Sequence, residues 1–213
     1  MSRSLQQYSA EIQKNRLSQS VIIRDFLRPN ELKALLLYVQ SRETKFEKSR
    51  VGQYSHKRAI VNARFRRSRV LFDLGKHRQL ITSRLLRCLP LAIEKLGIPR
   101  FRVSRVVAQV TASNHGDFFK KHTDSSLHEG RMLTFIYYFY REPKAFSGGE
   151  LRLYHTKVNN RQIVANKTFD TVVPRQNQVL FFPSFLLHEV LPVHCPTRLF
   201  ADSRFTVNGW ISK

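Results

Sequence analysis

The chain changes texture at Pro99, and that change limits its fold more than any single motif does. Beyond it, short apolar or alternating runs follow one another at Phe101 to Ala112, Phe118 to Asp124, Arg131 to Tyr140, Glu150 to Tyr154, Phe169 to Val173, Val179 to Phe182, His188 to Val193 and Arg204 to Ile211. Runs of this length, bounded by turn residues, read as strands. The boundaries are Asn114-His115-Gly116-Asp117, Ser147-Gly148-Gly149, Pro174-Arg175-Gln176-Asn177 and His194-Cys195-Pro196-Thr197, rich in the residues that reverse a chain. Eight short strands at this spacing predict a jelly-roll, or double-stranded β-helix, barrel.

The residues before Pro99 read differently. Asn30 is placed to cap a helix running to about Ser41, with Leu32, Leu35, Leu36 and Val39 on one stripe. Leucines and isoleucines recur at helical spacing from Arg78 to about Leu96, where Gly97-Ile98-Pro99 stops the run and Pro90 is a possible kink. Residues 43–69 are polar, basic and irregular, and predict a long loop with short strands. The expected class is therefore α+β, mainly β. Residues 1–99 form helical support and a basic loop, within the same domain as a 100–213 double-stranded β-helix core.

Composition narrows the function classes. With 213 residues, 42% of them hydrophobic, including 16 Phe and 7 Tyr, the chain can bury a core and is not a disordered segment. Met1 to Arg16 has no apolar stretch suited to a signal peptide, and no run reaches the length of a membrane span. Cys88 and Cys195 sit far apart in no zinc or redox motif, so a cytoplasmic protein without membrane contact is expected. Lys and Arg outnumber Asp and Glu by 37 to 15, a formal charge of +22. Such an excess is a common footprint of proteins that meet phosphates, which makes nucleic acid a candidate partner. The densest cluster is Arg64-Phe65-Arg66-Arg67-Ser68-Arg69, preceded by Lys45, Lys48, Arg50, Lys57 and Arg58. The same residues could equally form a solvated surface.

One constellation carries redox chemistry. His122 and Asp124 are two apart, so in an extended strand both point the same way and can reach one ion while Thr123 faces away. His188, 64 residues beyond Asp124, can return as a third ligand from elsewhere in the sheet. Two histidines and one carboxylate suit a non-haem iron(II) site that leaves its opposite positions open. Taken alone, H-x-D is also a common surface turn or polar pair.

In order, Asp117-Phe118-Phe119-Lys120-Lys121-His122-Thr123-Asp124, Leu133 to Tyr138, Ser147 to Leu153, His188 to Val193 and Arg204 to Trp210 resemble the 2-oxoglutarate and iron(II)-dependent oxygenases of the prolyl 4-hydroxylase type, across roughly residues 100 to 212. The resemblance implies iron(II) on His122, Asp124 and His188, with 2-oxoglutarate and O2 as co-substrates. It also requires a cation for the far carboxylate of 2-oxoglutarate. Arg198 and Arg204 compete for that role. The family spacing favours the former, but Arg204 opens a strand on which Arg204, Thr206, Asn208 and Trp210 share a face, matching the family's R-x-x-x-x-x-W strand, so Arg204 is preferred. Tyr138 matches a tyrosine that helps hold the same carboxylate, Leu151 would pack on the co-substrate stem unless it is ordinary core, and Asn208 joins the co-substrate contacts. Where some relatives have a tyrosine this chain has Ala112, with Gln109 and Thr111 as polar substitutes. His115, His128, His155 and His194 are expected in exposed loops.

The resemblance implies hydroxylation of a C–H bond, in a prolyl or other amino-acid side chain of a peptide or protein, with release of succinate and CO2. Two alternatives remain at this stage. One is oxidative modification or dealkylation of nucleic acid, although the R-x-N-x-T-x-R pattern of those enzymes is not reproduced in Arg198 to Arg204. The other is a non-catalytic basic binding protein. The oligomeric state is left open.

Overall fold

The computed structural model describes residues 19–53, 56–125, 130–159 and 162–213. In chain order its elements are β1 (Val21–Ile23), α1 (Pro29–Gln40), β2 (Glu47–Lys48), β3 (Val51–Gln53), β4 (His56–Ile60), β5 (Arg66–Arg67), β6 (Arg69–Leu71), α2 (His77–Leu96), β7 (Arg105–Ser113), β8 (Phe118–His122), β9 (Arg131–Phe139), β10 (Ser147–Gly148), β11 (Leu151–Asn159), β12 (Gln162–Val172), β13 (Gln178–Pro183), β14 (His188–Val190), β15 (Val193–His194) and β16 (Arg204–Ser212). No helix among the described residues is long and apolar enough to cross a membrane.

Helix α1 starts earlier than its asparagine suggested. Pro29, whose fixed φ suits a first helical turn, opens it, and Glu31 reaches back to accept the Arg28 backbone N–H at 2.8 Å. Asn30 therefore lies inside the helix rather than capping it. Helix α2 runs through Pro90 unbroken and ends at Gly97, whose left-handed φ of 65° lets Gly97 and Ile98 donate back to Glu94 and Ile93.

The strands form a seven-stranded sheet in the order β1-β13-β9-β16-β7-β6-β2 and a five-stranded sheet in the order β12-β11-β14-β8-β5, with small pairs β10-β15 and β3-β4. This is the expected jelly-roll core. Strands β1, β2 and β6 extend the larger sheet and β5 edges the smaller, so the residues before Pro99 supply strands as well as helices. Pairing of β11 with β12 continues to Asn159 and Gln162, well past the apolar runs. Lys157, Asn159, Asn166 and Lys167 hide this stretch from a hydrophobicity pattern.

Alternation on β9 divides the interior. Phe135, Tyr137 and Phe139 join the core that includes Leu35 and Val39 of α1 and Ile81 and Leu85 of α2, and Tyr137 meets Phe26 at a ring distance of 4.9 Å. Thr134, Ile136 and Tyr138 point to the other side. The register sets them beside β16, with Tyr138 opposite Thr206, Ile136 opposite Asn208 and Thr134 opposite Trp210. Strand β7 adds Thr111 opposite Thr206 and Gln109 opposite Asn208. A polar-lined face of the large sheet thus looks toward β8 and β14 of the small one.

Candidate active site

Strands β8 and β14 pair His122 directly with His188, which brings the rings to 4.1 Å between centroids. Asp124 follows β8, held by its backbone N–H on the Ser184 carbonyl at 3.0 Å. Asp124 Oδ1 lies 3.7 Å from His122 Nε2 and Oδ2 lies 3.6 Å from His188 Nε2. One ligand atom from each of the three residues falls within 4.8 Å of the others. Chain positions 122, 124 and 188 are therefore brought together.

The orientation of each donor has a local cause. His122 Nδ1 lies 2.7 Å from the Lys120 carbonyl and His188 Nδ1 lies 2.9 Å from the Leu186 carbonyl. A carbonyl can only accept, so Nδ1 carries the proton in both rings and the Nε2 lone pairs face the shared centre. Thr134 donates to Asp124 Oδ2 at 2.7 Å. Burial, reinforced by the neighbouring His188, pushes the His122 imidazole down to about 3. Burial alone would raise the Asp124 carboxyl, but His188, His122 and the Thr134 hydroxyl outweigh it and hold it below the ordinary range. A neutral His122 and an ionised Asp124 at neutral pH are the forms in which these groups bind a cation. The nitrogen and oxygen donors and their open side suit iron(II).

A cavity of about 80 Å³ extends from this cluster between the sheets. Its wall includes Thr206, Asn208 and Arg204 of β16, Gln109 and Thr111 of β7, and Thr134 and Ile136 of β9. Arg204 is only 3% exposed, and its Nε is buried without a hydrogen-bond partner. The Tyr138 hydroxyl is buried and unpartnered as well, with the Arg204 guanidinium 5.0 Å from its ring centre. Burial lowers the Arg204 pKa and raises that of Tyr138. Among the described residues Arg204 makes no salt bridge, and a buried unpaired cation is costly enough that an anionic ligand is its natural complement. A carboxylate on a bound molecule would meet that need.

Gly149 makes this placement sterically feasible. Its φ is +69°, and a Cβ built there would stand 2.7 Å from Arg204 Cδ. The turn Ser147-Gly148-Gly149 therefore leaves room for the arginine as well as reversing the chain. Arg198 is not on the cavity wall; it is exposed, at φ 55°, in the loop after β15. Asn208 is on the wall, its Oδ1 accepting from Thr111 at 2.7 Å, which turns its amide donors away from that hydroxyl. Leu151 is fully buried in the main apolar core and is absent from the cavity wall.

Other expectations are corrected. His155 lies on β11, not in a loop, with Nε2 3.3 Å from Asp170. His194 is exposed on β15 beside His115, with ring centroids 5.0 Å apart, while His128 lies outside the described residues. The basic cluster is not one patch, because strand alternation scatters it. Arg67 faces Asp117 at 3.8 Å, Arg69 faces Glu43 at 3.6 Å, and the side chains of Lys57 and Arg58 lie outside the described part.

Arg66 is the residue of the basic cluster whose direction, into the cavity, the sequence hid. Pairing of β5 with β8 sets it opposite Phe119, and its guanidinium lies 4.6 Å from that ring centre, on the cavity wall. Burial lowers its pKa to about 10, with Asp124 opposing. A two-residue strand gives no periodicity from which its direction could be read.

Residues 108–212 match the model of the 2OG-Fe(II) oxygenase superfamily. The chain is 38% identical over 195 residues to an uncharacterized PKHD-type hydroxylase of Synechocystis sp., covering 90% of this chain and 62% of that relative. It thus spans less than two thirds of the relative's length. Among solved structures, a Pseudomonas putida prolyl-4-hydroxylase superposes with a TM-score of 0.63 at 19% identity, over 97% of this chain and 98% of that one. A Trichoplax adhaerens prolyl hydroxylase, solved with a hypoxia inducible factor oxygen degradation domain peptide fragment, also gives 0.63 at 19% identity, over 96% and 87% of the two chains. At such identities these two structures bear on the fold alone.

Proposed function

The chain belongs to the 2OG-Fe(II) oxygenase superfamily, and from that premise we propose that it hydroxylates a prolyl or other amino-acid side chain of a peptide or protein. Enzymes of this superfamily use Fe(II), 2-oxoglutarate and O2. The observation that carries the reading is the pairing, on one cavity, of a two-histidine, one-carboxylate cluster with a buried arginine that forms no salt bridge among the described residues.

In this reading His122, Asp124 and His188 would hold the metal, with the two Nδ1 protons tied to backbone carbonyls so that both Nε2 atoms stay free to coordinate. Arg204 and Tyr138 anchor the far carboxylate of 2-oxoglutarate, and Asn208 orients the chain between. Iron(II) and 2-oxoglutarate together supply the activation of O2 and the oxidising power for the C–H bond, with succinate and CO2 as products. The protein's own part is position and exclusion of water; the apolar wall of Ile136 and Val190 serves the second. The peptide-bound Trichoplax structure supports a peptide-like substrate by analogy of fold. Two free thiols, Cys88 and Cys195, support a reducing compartment such as the cytoplasm.

The test is succinate formation coupled to a mass gain of one oxygen on proline-containing peptides or lysate proteins. Coupled loss of an alkyl group from DNA or RNA, with no peptide oxidation, would replace this reading by nucleic-acid dealkylation, which the charge of +22 keeps as the rival.

A further inference from the structure

Outside the inner cavity, and sharing Arg66, Phe119, His122, Asp124 and Trp210 with it, lies a second cavity of about 730 Å³. That volume is in the range of ligand-binding pockets, about 300–1,000 Å³. Arg50, Arg66, Lys121 and Arg131 line it, and the sole carboxylate on its described wall is Asp124, which the metal cluster already uses. None of the four cations forms a salt bridge among the described residues, whereas Arg67, Arg84, Arg141 and Arg152 elsewhere each find an acid. Three of them are held in place without neutralisation. Arg66 rests on Phe119 and bonds Ser68 Oγ at 3.2 Å, Lys121 lies 4.3 Å from the Tyr154 ring centre, and Arg131 lies 4.1 Å from that of Trp210 while donating to the Asp124 carbonyl at 2.6 Å.

We propose that this outer cavity binds an acidic segment of peptide, so that the side chain presented to the metal cluster is flanked by Asp or Glu, with Arg66 as the innermost anchor. The inference rests on the peptide-hydroxylase reading and narrows its substrate class. Pre-oriented guanidinium groups suit carboxylates, which they bind through paired, charge-assisted hydrogen bonds. The aromatic rings argue for peptide over single-stranded nucleic acid. Sequence-tolerant nucleic-acid sites need open ring faces on which bases stack. Here Phe65 packs edge-to-face with Phe119 at 5.7 Å, Phe119 carries His122 on a face at 3.5 Å and Arg66 at 4.6 Å, and Trp210 and, off the wall, Tyr154 each carry a cation. Those rings serve to hold the charges.

The experiment is fluorescence anisotropy on the full chain with Fe(II) and 2-oxoglutarate under nitrogen, so that binding is read without turnover. The probes are short peptides with a central proline flanked by Asp and Glu, by Ser and Gly, or by Lys, and a single-stranded oligonucleotide matched in charge to the acidic peptide. The acidic peptide should bind more than about tenfold tighter than the neutral one. Arg66→Gln should remove most of that preference, as should the double variant Arg50→Gln/Arg131→Gln if Arg66→Gln does not fold. Arg24→Gln, exposed just after β1 and on neither cavity wall, should not. Equal binding of acidic and neutral peptides, or an unchanged preference in a folded Arg66→Gln protein, overturns the proposal. Tighter binding of the oligonucleotide, lost in Arg66→Gln, makes the cavity a nucleic-acid site instead. Oxidation of neutral and acidic peptides alike under air would leave the peptide-hydroxylase reading standing while this narrower one fell. Acid-selective binding without peptide oxidation would do the reverse.

Discussion

Strand β9 of the large sheet buries seven consecutive residues, Leu133 to Phe139, whereas none of the five residues of β8 in the small sheet is fully buried. Both strands alternate. What differs is the cover, since helices close the outer face of the large sheet and the small sheet has no helix on it among the described residues. A strand covered on both faces is fixed by packing, and a substitution there acts on stability. A strand with a cavity on one side and water on the other can carry ionisable groups, so substitutions there act on chemistry.

The strongest way to break this comparison is to remove a member of the metal cluster. His122→Ala or Asp124→Ala should reduce iron(II) binding and 2-oxoglutarate turnover to background while circular dichroism and the thermal midpoint stay close to those of the parent chain. Normal turnover in either variant would sink the role assigned to these residues. Next in size is the packing side. Phe205→Ala or Phe135→Ala, each fully buried, should cost about 3–5 kcal/mol in denaturant unfolding, and half-exposed Phe118→Ala clearly less. Equal losses would show that cover does not divide the sheets.

Arg204 sharpens the contrast because it is a buried residue of the large sheet whose proposed role is ligand binding. Arg204→Ala should raise the 2-oxoglutarate requirement more than about tenfold, on the order of 2 kcal/mol, with a smaller loss of stability, because the arginine forms no salt bridge among the described residues and its Nε has no hydrogen-bond partner. Exposed Arg198→Ala should stay within about twofold. The reverse ranking moves the co-substrate anchor to Arg198. The smallest effect belongs to the helical layer, where Arg84 holds Glu31 at 3.0 Å. Burial would raise the Glu31 carboxyl, but the Arg28 backbone N–H and Arg84 outweigh it and lower it. A depressed folded pKa stabilises above the unfolded carboxyl range, and the contribution is lost as pH falls through the folded value. Arg84→Met should therefore cost under about 1 kcal/mol at pH 7, near the surface where solvent screens the pair, and nothing once Glu31 is protonated. A cost that persists in acid would point to packing by the arginine stem.

The sequence discloses what strand periodicity and turn chemistry encode. Thr206, Asn208 and Trp210 could be placed on one face with Arg204 because side chains alternate, and the His122 to His188 pairing followed from motif order. Arg66 could not be placed, since β5 has two residues and its direction depends on which strand it meets. The same limit hid the length of β11 and β12, which backbone pairing extends through polar residues. Asn30 misled because proline at the next position upstream fixed the helix start by geometry rather than by side-chain capping. Leu151 was open to two readings because a leucine looks alike to a pattern in core and in pocket; only its neighbours separate them.

Strand β16 lies between β9 and β7, although it follows them both by more than sixty residues. Until it arrives, those two strands are open edges, rich in Phe, Tyr and Val, with their backbone groups unanswered. A growing chain would thus contain His122, Asp124 and His188 before it could close the large sheet, and a transcript cut short of Arg204 would encode a sticky half-barrel. Late closure through a distant strand is slow, and it ties the survival of the protein in a cell to how quickly β16 finds the gap.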